Sequence, residues 1–217
     1  MENIIPDKRS VKLIAHRGLS GLKRENTCAA FIAAGESDYF GIETDVRKTS
    51  DGKFVLMHDD NTTRVTNGKY DYKIAATDFD TLRALKLPDL AGKERDDLKI
   101  PLLSEYINIC KKYNKKCVLE LKPCFEPQDI KDIINEIEET GYLENVIFIS
   151  FSLEYCVEVR RILRDAQIQW LADREATPEI ISTVTGNRID LDVYYKKLTK
   201  ELLEYIHSLG LEVNSWT

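Results

Sequence analysis

Two acids one residue apart, in the apolar strand Gly41-Ile42-Glu43-Thr44-Asp45-Val46, have the types and spacing to do chemistry. Side chains in a strand alternate faces, so Glu43 and Asp45 share one, with Cα atoms about 6.5 to 7 Å apart. Two carboxylates facing one point need a cation or a proton between them, unless the strand is an edge whose acidic face is solvated. Just beyond, Asp51-Gly52 lies between two extended runs, the pattern of a tight hairpin. A turn centred there sets His58, six residues after Gly52, opposite Asp45, six residues before Asp51. Directly opposed residues share a face, so an imidazole is expected beside the acid pair.

The elements that must position these groups alternate. Val11 to Ala15 is a short apolar strand ending in His16-Arg17-Gly18, and Asn26 is the expected cap of a helix running to Ala34. After the hairpin comes a polar excursion. Pro101 then introduces a helix over Leu102 to Lys112, with Leu103, Tyr106, Ile107 and Cys110 at helical spacing. Strands follow at Lys116 to Pro123, Asn145 to Ser150, Gln167 to Ala172, Arg188 to Tyr194 and Leu211 to Thr217, separated by helices at Pro127 to Thr140, Leu153 to Ala166, Pro178 to Val184 and Lys200 to Leu209. Such alternation implies a parallel sheet, and seven strands with helices between them predict an α/β fold of the TIM type, a (β/α)8 barrel, in one domain over residues 1–217. The count is one short. The expectation is therefore a barrel lacking its eighth strand and last helix, with a small insertion after the second strand over approximately residues 53–100.

In barrels of this type the reactive groups sit at the C-terminal ends of the strands. Here those ends carry His16 and Arg17, Glu43 and Asp45, Glu120 and Lys122 on one face of their strand, and Trp216. Charges placed where apolar fillers belong are costly unless paired, so their recurrence at one rim points to compensation by a bound cation and a bound anion.

Composition bounds the partner. With 43% hydrophobic and 31% charged residues the chain has the makings of a globular core, and a formal charge of −6 argues against a broad nucleic-acid surface. An anionic substrate must be met locally. Met1 to Ser10 holds no apolar run of signal-peptide length and no segment nears the ~20 residues of a membrane span, so a cytoplasmic protein is expected. The five cysteines, Cys28, Cys110, Cys117, Cys124 and Cys156, show no C-x-x-C spacing and are expected to be reduced, neither a disulfide framework nor a zinc site.

The run His16-Arg17-Gly18, Glu25-Asn26-Thr27 with Ala30 and Phe31, the strand 41–46, Asp51-Gly52, Val55, His58-Asp59, Arg64, Thr66 and Gly68 resembles the glycerophosphodiester phosphodiesterase family. Ile100-Pro101-Leu102-Leu103, Leu119-Glu120-Leu121-Lys122-Pro123, Ser150-Phe151 and Trp216-Thr217 extend the resemblance over nearly the whole chain. It implies a barrel enzyme hydrolysing glycerophosphodiesters to sn-glycerol 3-phosphate and an alcohol, with one divalent cation held by Glu43, Asp45 and Glu120. By the same resemblance His16 and His58 are the acid/base pair, Arg17 binds phosphate, Lys122 assists and Trp216 lines the pocket. Two departures stand out: Arg24 occupies a place where the family often has Pro, and the strand after Trp-Thr is absent.

General chemistry agrees with those roles. Oxygen-only ligation by three carboxylates suits Mg²⁺ or Ca²⁺, an arginine fork neutralises a phosphodiester, and an imidazole with its pKa near 6.5 serves for either proton transfer. The attacking group is water or the neighbouring glycerol hydroxyl, the latter through a cyclic phosphate. Rival readings are a lysophospholipase D or sphingomyelinase D-like enzyme on the same barrel, or a non-catalytic phosphate-binding module. Of the remaining residues, His207 is expected to be structural or solvated, Asp190 and Asp192 to touch substrate hydroxyls or to be solvated or salt-bridged, Asp59 to position His58 or the loop backbone, Glu25 and Asn26 to approach the site from the first loop, and Phe151 to pack in the barrel or against substrate.

Overall fold

The computed structural model describes residues 11–172 and 177–216; the leader reading of Met1 to Ser10 and the Thr217 of the Trp-Thr pair lie outside the described residues. Parallel strands β1 (Ile14–Ala15), β2 (Gly41–Lys48), β4 (Lys116–Leu121), β5 (Val146–Ser150), β6 (Gln167–Ala172), β7 (Asp190–Tyr194) and β8 (Val213–Trp216) are hydrogen-bonded in that order, and β3 (Phe54–Leu56) runs antiparallel on β2. Helices α1 (Cys28–Gly35), α2 (Phe79–Ala84), α3 (Leu103–Tyr113), α4 (Pro127–Glu139), α5 (Leu153–Ile162), α6 (Pro178–Gly186) and α7 (Lys200–Ser208) fill the connections. The seven parallel strands curl as in a TIM-like barrel.

Several helices start where local chemistry says they should. Ser152, Thr177 and Thr199 accept from backbone N–H groups one turn on, and Pro127 and Pro178 occupy first turns, where a missing N–H costs nothing. The cap of α1 is Thr27, whose Oγ1 accepts from Ala30 N. Asn26 is thus not the cap. Its backbone is left-handed, at φ 51°, and its side chain is committed elsewhere.

Apolar side chains form two layers in the barrel body. Phe31, Tyr106, Ile133, Phe148 and Trp170 pack between sheet and helices, whereas Val118, Ile147, Ile149 and Leu171 fill the inside of the sheet with Ile14, Phe40 and Trp216. The expected polar excursion is a correction: it packs a core of its own from Val55, Met57, Val65, Ile74, Leu82 and Leu98. Its apolar residues are spread too thinly among charges to show a period.

The hairpin is also one residue out of the expected register. Val46 pairs with Leu56 and Lys48 with Phe54, which aligns Asp45 with Met57, whose N–H donates to Asp45 O at 2.9 Å. Thr49 and Lys53 close a three-residue loop with Gly52 left-handed at φ 80°, instead of a two-residue turn on Asp51-Gly52. His58 therefore follows the ladder and is not opposed to Asp45. Among the described residues no helix is long and apolar enough to cross a membrane, and none of the five cysteines is in a disulfide.

Candidate active site

Past β1 and His16 come two consecutive left-handed residues, Arg17 at φ 55° and Gly18 at φ 73°. A non-glycine residue held there is strained, and such strain persists only where surroundings enforce it. Here the enforcement is visible: the turn aims Arg17 N at Glu43 Oε2, 2.7 Å away, and Gly18 N at Glu43 O. Gly18 has no alternative, because a Cβ there would lie 2.7 Å from the Ala30 carbonyl carbon. The His-Arg-Gly sequence is thus a corner that presses the first strand end against the acid strand.

Glu43, Asp45 and Glu120 come together as their strand spacing requires. β2 and β4 pair with Asp45 against Glu120, and one oxygen from each acid lies within 4.8 Å of the others. All three are buried, at 6%, 0% and 6% exposure. Burial first, then the charges of Asp45 and Glu120, holds Glu43 well above the usual carboxylate range. The same causes, burial then Asp45, push Glu120 up to about 7 against the pull of Lys122. Burial raises Asp45 too, but Lys122, His58, Asn26 and Arg17 together outweigh it and leave Asp45 below its ordinary value.

Lys122 sits among these acids. Its Nζ donates to Glu120 Oε1 at 2.8 Å and lies 3.1 Å from Asp45 Oδ1, close enough to pair but out of line for a hydrogen bond, so Oδ1 is a buried acceptor without a donor. Arg17 Nε, 3.7 Å from Asp45 Oδ2, is a buried donor without an acceptor. Three converging oxygen donors, two of them raised by burial and then by neighbouring carboxylate charge, and an unsatisfied carboxylate oxygen fit a hard divalent cation. The lone Arg17 Nε beside them fits an anion.

The two imidazoles reach the cluster from different elements. His16 Nε2 lies 4.0 Å from Glu43 Oε2. His58, on the segment after β3, is held by its backbone and its ring: Arg47 donates to His58 O from Nη2 at 2.6 Å, and His58 Nδ1 meets Asp59 Oδ1 at 2.7 Å. Asp59, held down at about 2 because bonds from Arg64 and His58 outweigh its burial, is ionised and can only accept. Nδ1 must then carry the proton, leaving Nε2 as the free nitrogen. Burial lowers both histidines, helped by Arg17 at His16 and opposed by Asp45 and Asp59 at His58.

Trp216 stands at the far side, its indole N–H donating to Asp192 O at 3.2 Å and its ring in contact with Phe151 and Tyr194. Asp192 is buried on β7 and pushed up to about 7 by burial and by Glu120, with Oδ2 accepting from Asn214. Asp190 accepts from Glu212 N, a bond within the sheet, and His207 is exposed on α7, away from the rim. Asn26 is not a cap but approaches the site, the other expectation for it: it donates from Nδ2 to Asp45 Oδ2 at 2.8 Å and accepts from Thr44 Oγ1. Arg47 was missed by sequence reasoning, although it stands two residues past Asp45 and so shares its face. Arg64 was noted as part of the resemblance without a role; it bonds both Asp59 and Glu25. Arg24, at the family's Pro position, reaches the insertion, donating from Nε to Pro88 O and from Nη2 to Asp89 O.

Known proteins share this sequence and fold. The model of the glycerophosphoryl diester phosphodiesterase family matches residues 16–217. A glycerophosphodiester phosphodiesterase of Caldanaerobacter subterraneus is 30% identical, covering 94% of this chain and 84% of the relative, and a putative one of Bacillus subtilis is 39% identical, covering 94% and 85%. A phosphodiesterase of Oleispira antarctica, solved with the product sn-glycerol-3-phosphate, superposes with a TM-score of 0.86 at 26% identity over 95% of this chain and 84% of that one. The corner at His16-Arg17-Gly18, the gathered acids and these matches converge on one conclusion: the chain belongs to the glycerophosphoryl diester phosphodiesterase family.

Proposed function

We propose that this phosphodiesterase hydrolyses glycerophosphodiesters to sn-glycerol 3-phosphate and an alcohol, with Glu43, Asp45 and Glu120 holding one divalent cation, Mg²⁺ or Ca²⁺. The observation that carries the reading is the convergence, on one strand-end rim, of three buried carboxylates with Arg17, Lys122 and two imidazoles. When bound, such a cation offsets the negative charge of the phosphodiester and of the transition state. Arg17, whose Nε has no acceptor, and Lys122 bind the phosphate oxygens and orient phosphorus. Of His16 and His58, one takes a proton from the attacking hydroxyl, whether of water or of glycerol, and the other gives one to the leaving alkoxide. Asp59 holds His58 in the tautomer that exposes Nε2. Trp216 walls the pocket against bulk water.

The family match and the named relatives favour this over a lysophospholipase D or sphingomyelinase D activity and over a non-catalytic module. The test is a product assay on glycerophosphocholine with Mg²⁺, with Ca²⁺ and with excess chelator. Release of sn-glycerol 3-phosphate that stops in chelator and returns with one of the ions is expected. Release of choline with a cyclic phosphate from lysophosphatidylcholine, or undiminished turnover in chelator, would overturn it.

A further inference from the structure

Arg64 belongs to the inserted segment and lies outside the acid cluster, yet its guanidinium is fully engaged toward the rim. Nε and Nη2 donate to the two oxygens of Asp59 at 2.7 and 3.1 Å, while Nη1 and Nη2 donate to the two oxygens of Glu25, each at 2.8 Å. The atoms shared are the telling ones. Asp59 Oδ1, which takes Arg64 Nη2, is also the atom that meets His58 Nδ1 at 2.7 Å. Glu25 Oε1, which takes the same Nη2, is also the acceptor of Arg17 Nη1 at 3.2 Å. One planar group thus fixes the carboxylate behind the imidazole and the carboxylate behind the phosphate arginine.

We propose that Arg64 is a positioning residue for the phosphodiester reaction, a two-armed clamp that sets the His58 ring through Asp59 and the reach of Arg17 through Glu25. The proposal deepens the function above and rests on it. Energy alone does not explain the arrangement: Arg64 is 46% exposed along its side chain, so its charge is screened. Geometry does. A planar fork with five donors can hold two carboxylates in fixed planes, whereas a lysine offers one point charge and leaves both free to turn. Without a cation between them, Glu25 and Asp59 repel, and their partners follow.

The test separates the arms by kinetics on glycerophosphocholine and by calorimetric binding of inorganic phosphate. For Asp59→Asn a fall in kcat of about 10- to 100-fold with little change in KM is expected, because the ring loses the acceptor-only carboxylate that fixes its tautomer. For Glu25→Gln the expected change is a rise of about 10-fold in KM and in the phosphate Kd, with kcat nearly kept. Arg64→Ala shows both, Arg64→Lys recovers them only in part, and adding Arg64→Ala to the Glu25→Gln, Asp59→Asn double variant costs little more. Arg64→Ala within about threefold of wild type in both constants, or altered only in melting temperature, overturns the clamp. Should Arg64→Ala not fold, the single Glu25 and Asp59 variants decide: if both move the same parameter, or neither moves any, the clamp is wrong. A wild type that binds phosphate but does not turn over glycerophosphocholine would instead sink the substrate assignment, and loss of phosphate binding in Glu25→Gln would still uphold the Arg17 arm.

Discussion

The two sides of the curled sheet are built to different ends. Toward the inside, β2 and β4 present Glu43, Asp45 and Glu120, whereas β5 and β6 present Ile147, Ile149 and Leu171. The first side carries charges that repel one another and are buried nonetheless; the second is an ordinary apolar filling. Buried charges of this kind are costly unless a partner or ligand offsets them, and the cluster of them is confined to the strands nearest His16 and Arg17. Asp192 on β7 is the exception on the quieter side, a buried carboxyl with Oδ1 unpaired.

Substitution tests this division most severely at the imidazoles. His16→Ala and His58→Ala are expected to lose about two to four decades in kcat with the fold retained, as steady-state kinetics and circular dichroism would show. Near-wild-type turnover from either would remove the chemistry from the charged side. Next in size are Glu43→Gln and Glu120→Gln. Each removes a buried carboxyl whose ionised form burial and the Asp45 charge disfavour, so the variants should lose cation-dependent activity by at least about 10- to 100-fold yet melt higher than wild type in chelator. A lower melting point in chelator would mean that the acids stabilise the fold by themselves.

The pH dependence is a smaller effect that reaches the other side. Glu120 and Asp192 rise from 4.5 and 3.8 to about 7 in the folded protein. A carboxyl raised by folding holds its proton more tightly there than in the unfolded chain, so its contribution is fully present below its ordinary value and is lost as pH climbs toward 7. Stability in chelator should therefore fall between about pH 4 and 7, by at most about 1.4 kcal/mol per pH unit for each group. Asp192→Asn should flatten the denaturation-derived slope without abolishing it. An unchanged slope would show that Asp192 does not titrate as its burial demands. The smallest effect belongs to the apolar filling of β5, where Ile147→Val should cost about 0.5 to 1.5 kcal/mol in urea titration and leave kcat untouched.

Much of this division was legible in the sequence because strand alternation is rigid: two acids at 43 and 45, and an acid and a lysine at 120 and 122, had to face one way. The helix starts at Pro127 and Pro178 were readable for a similarly local reason, whereas the one cap named from the sequence, Asn26, was not a cap. Its amide looked like a cap because Asn is a good one, but Thr27 beside it serves as well, and the tertiary demand of Asp45 for a donor took Asn26 away. The hairpin misled by one residue, since Asp-Gly serves both two- and three-residue loops and only the partner strand decides between them. The core of the insertion and the grip of Arg64 were hidden because both depend on contacts between segments far apart in the chain.

Arg24 carries one more consequence. A proline at this place narrows the freedom of the loop even before folding, through the unfolded chain itself. An arginine bonded to carbonyls 64 and 65 residues downstream acts only after the insertion has taken shape. In this protein the segment bearing Glu25 is thereby made conditional: it settles when its distant neighbour does and loosens with it. Turnover should then be sensitive to sequence changes in the remote stretch around Pro88 and Asp89, as an arch is sensitive to a stone that bears no inscription.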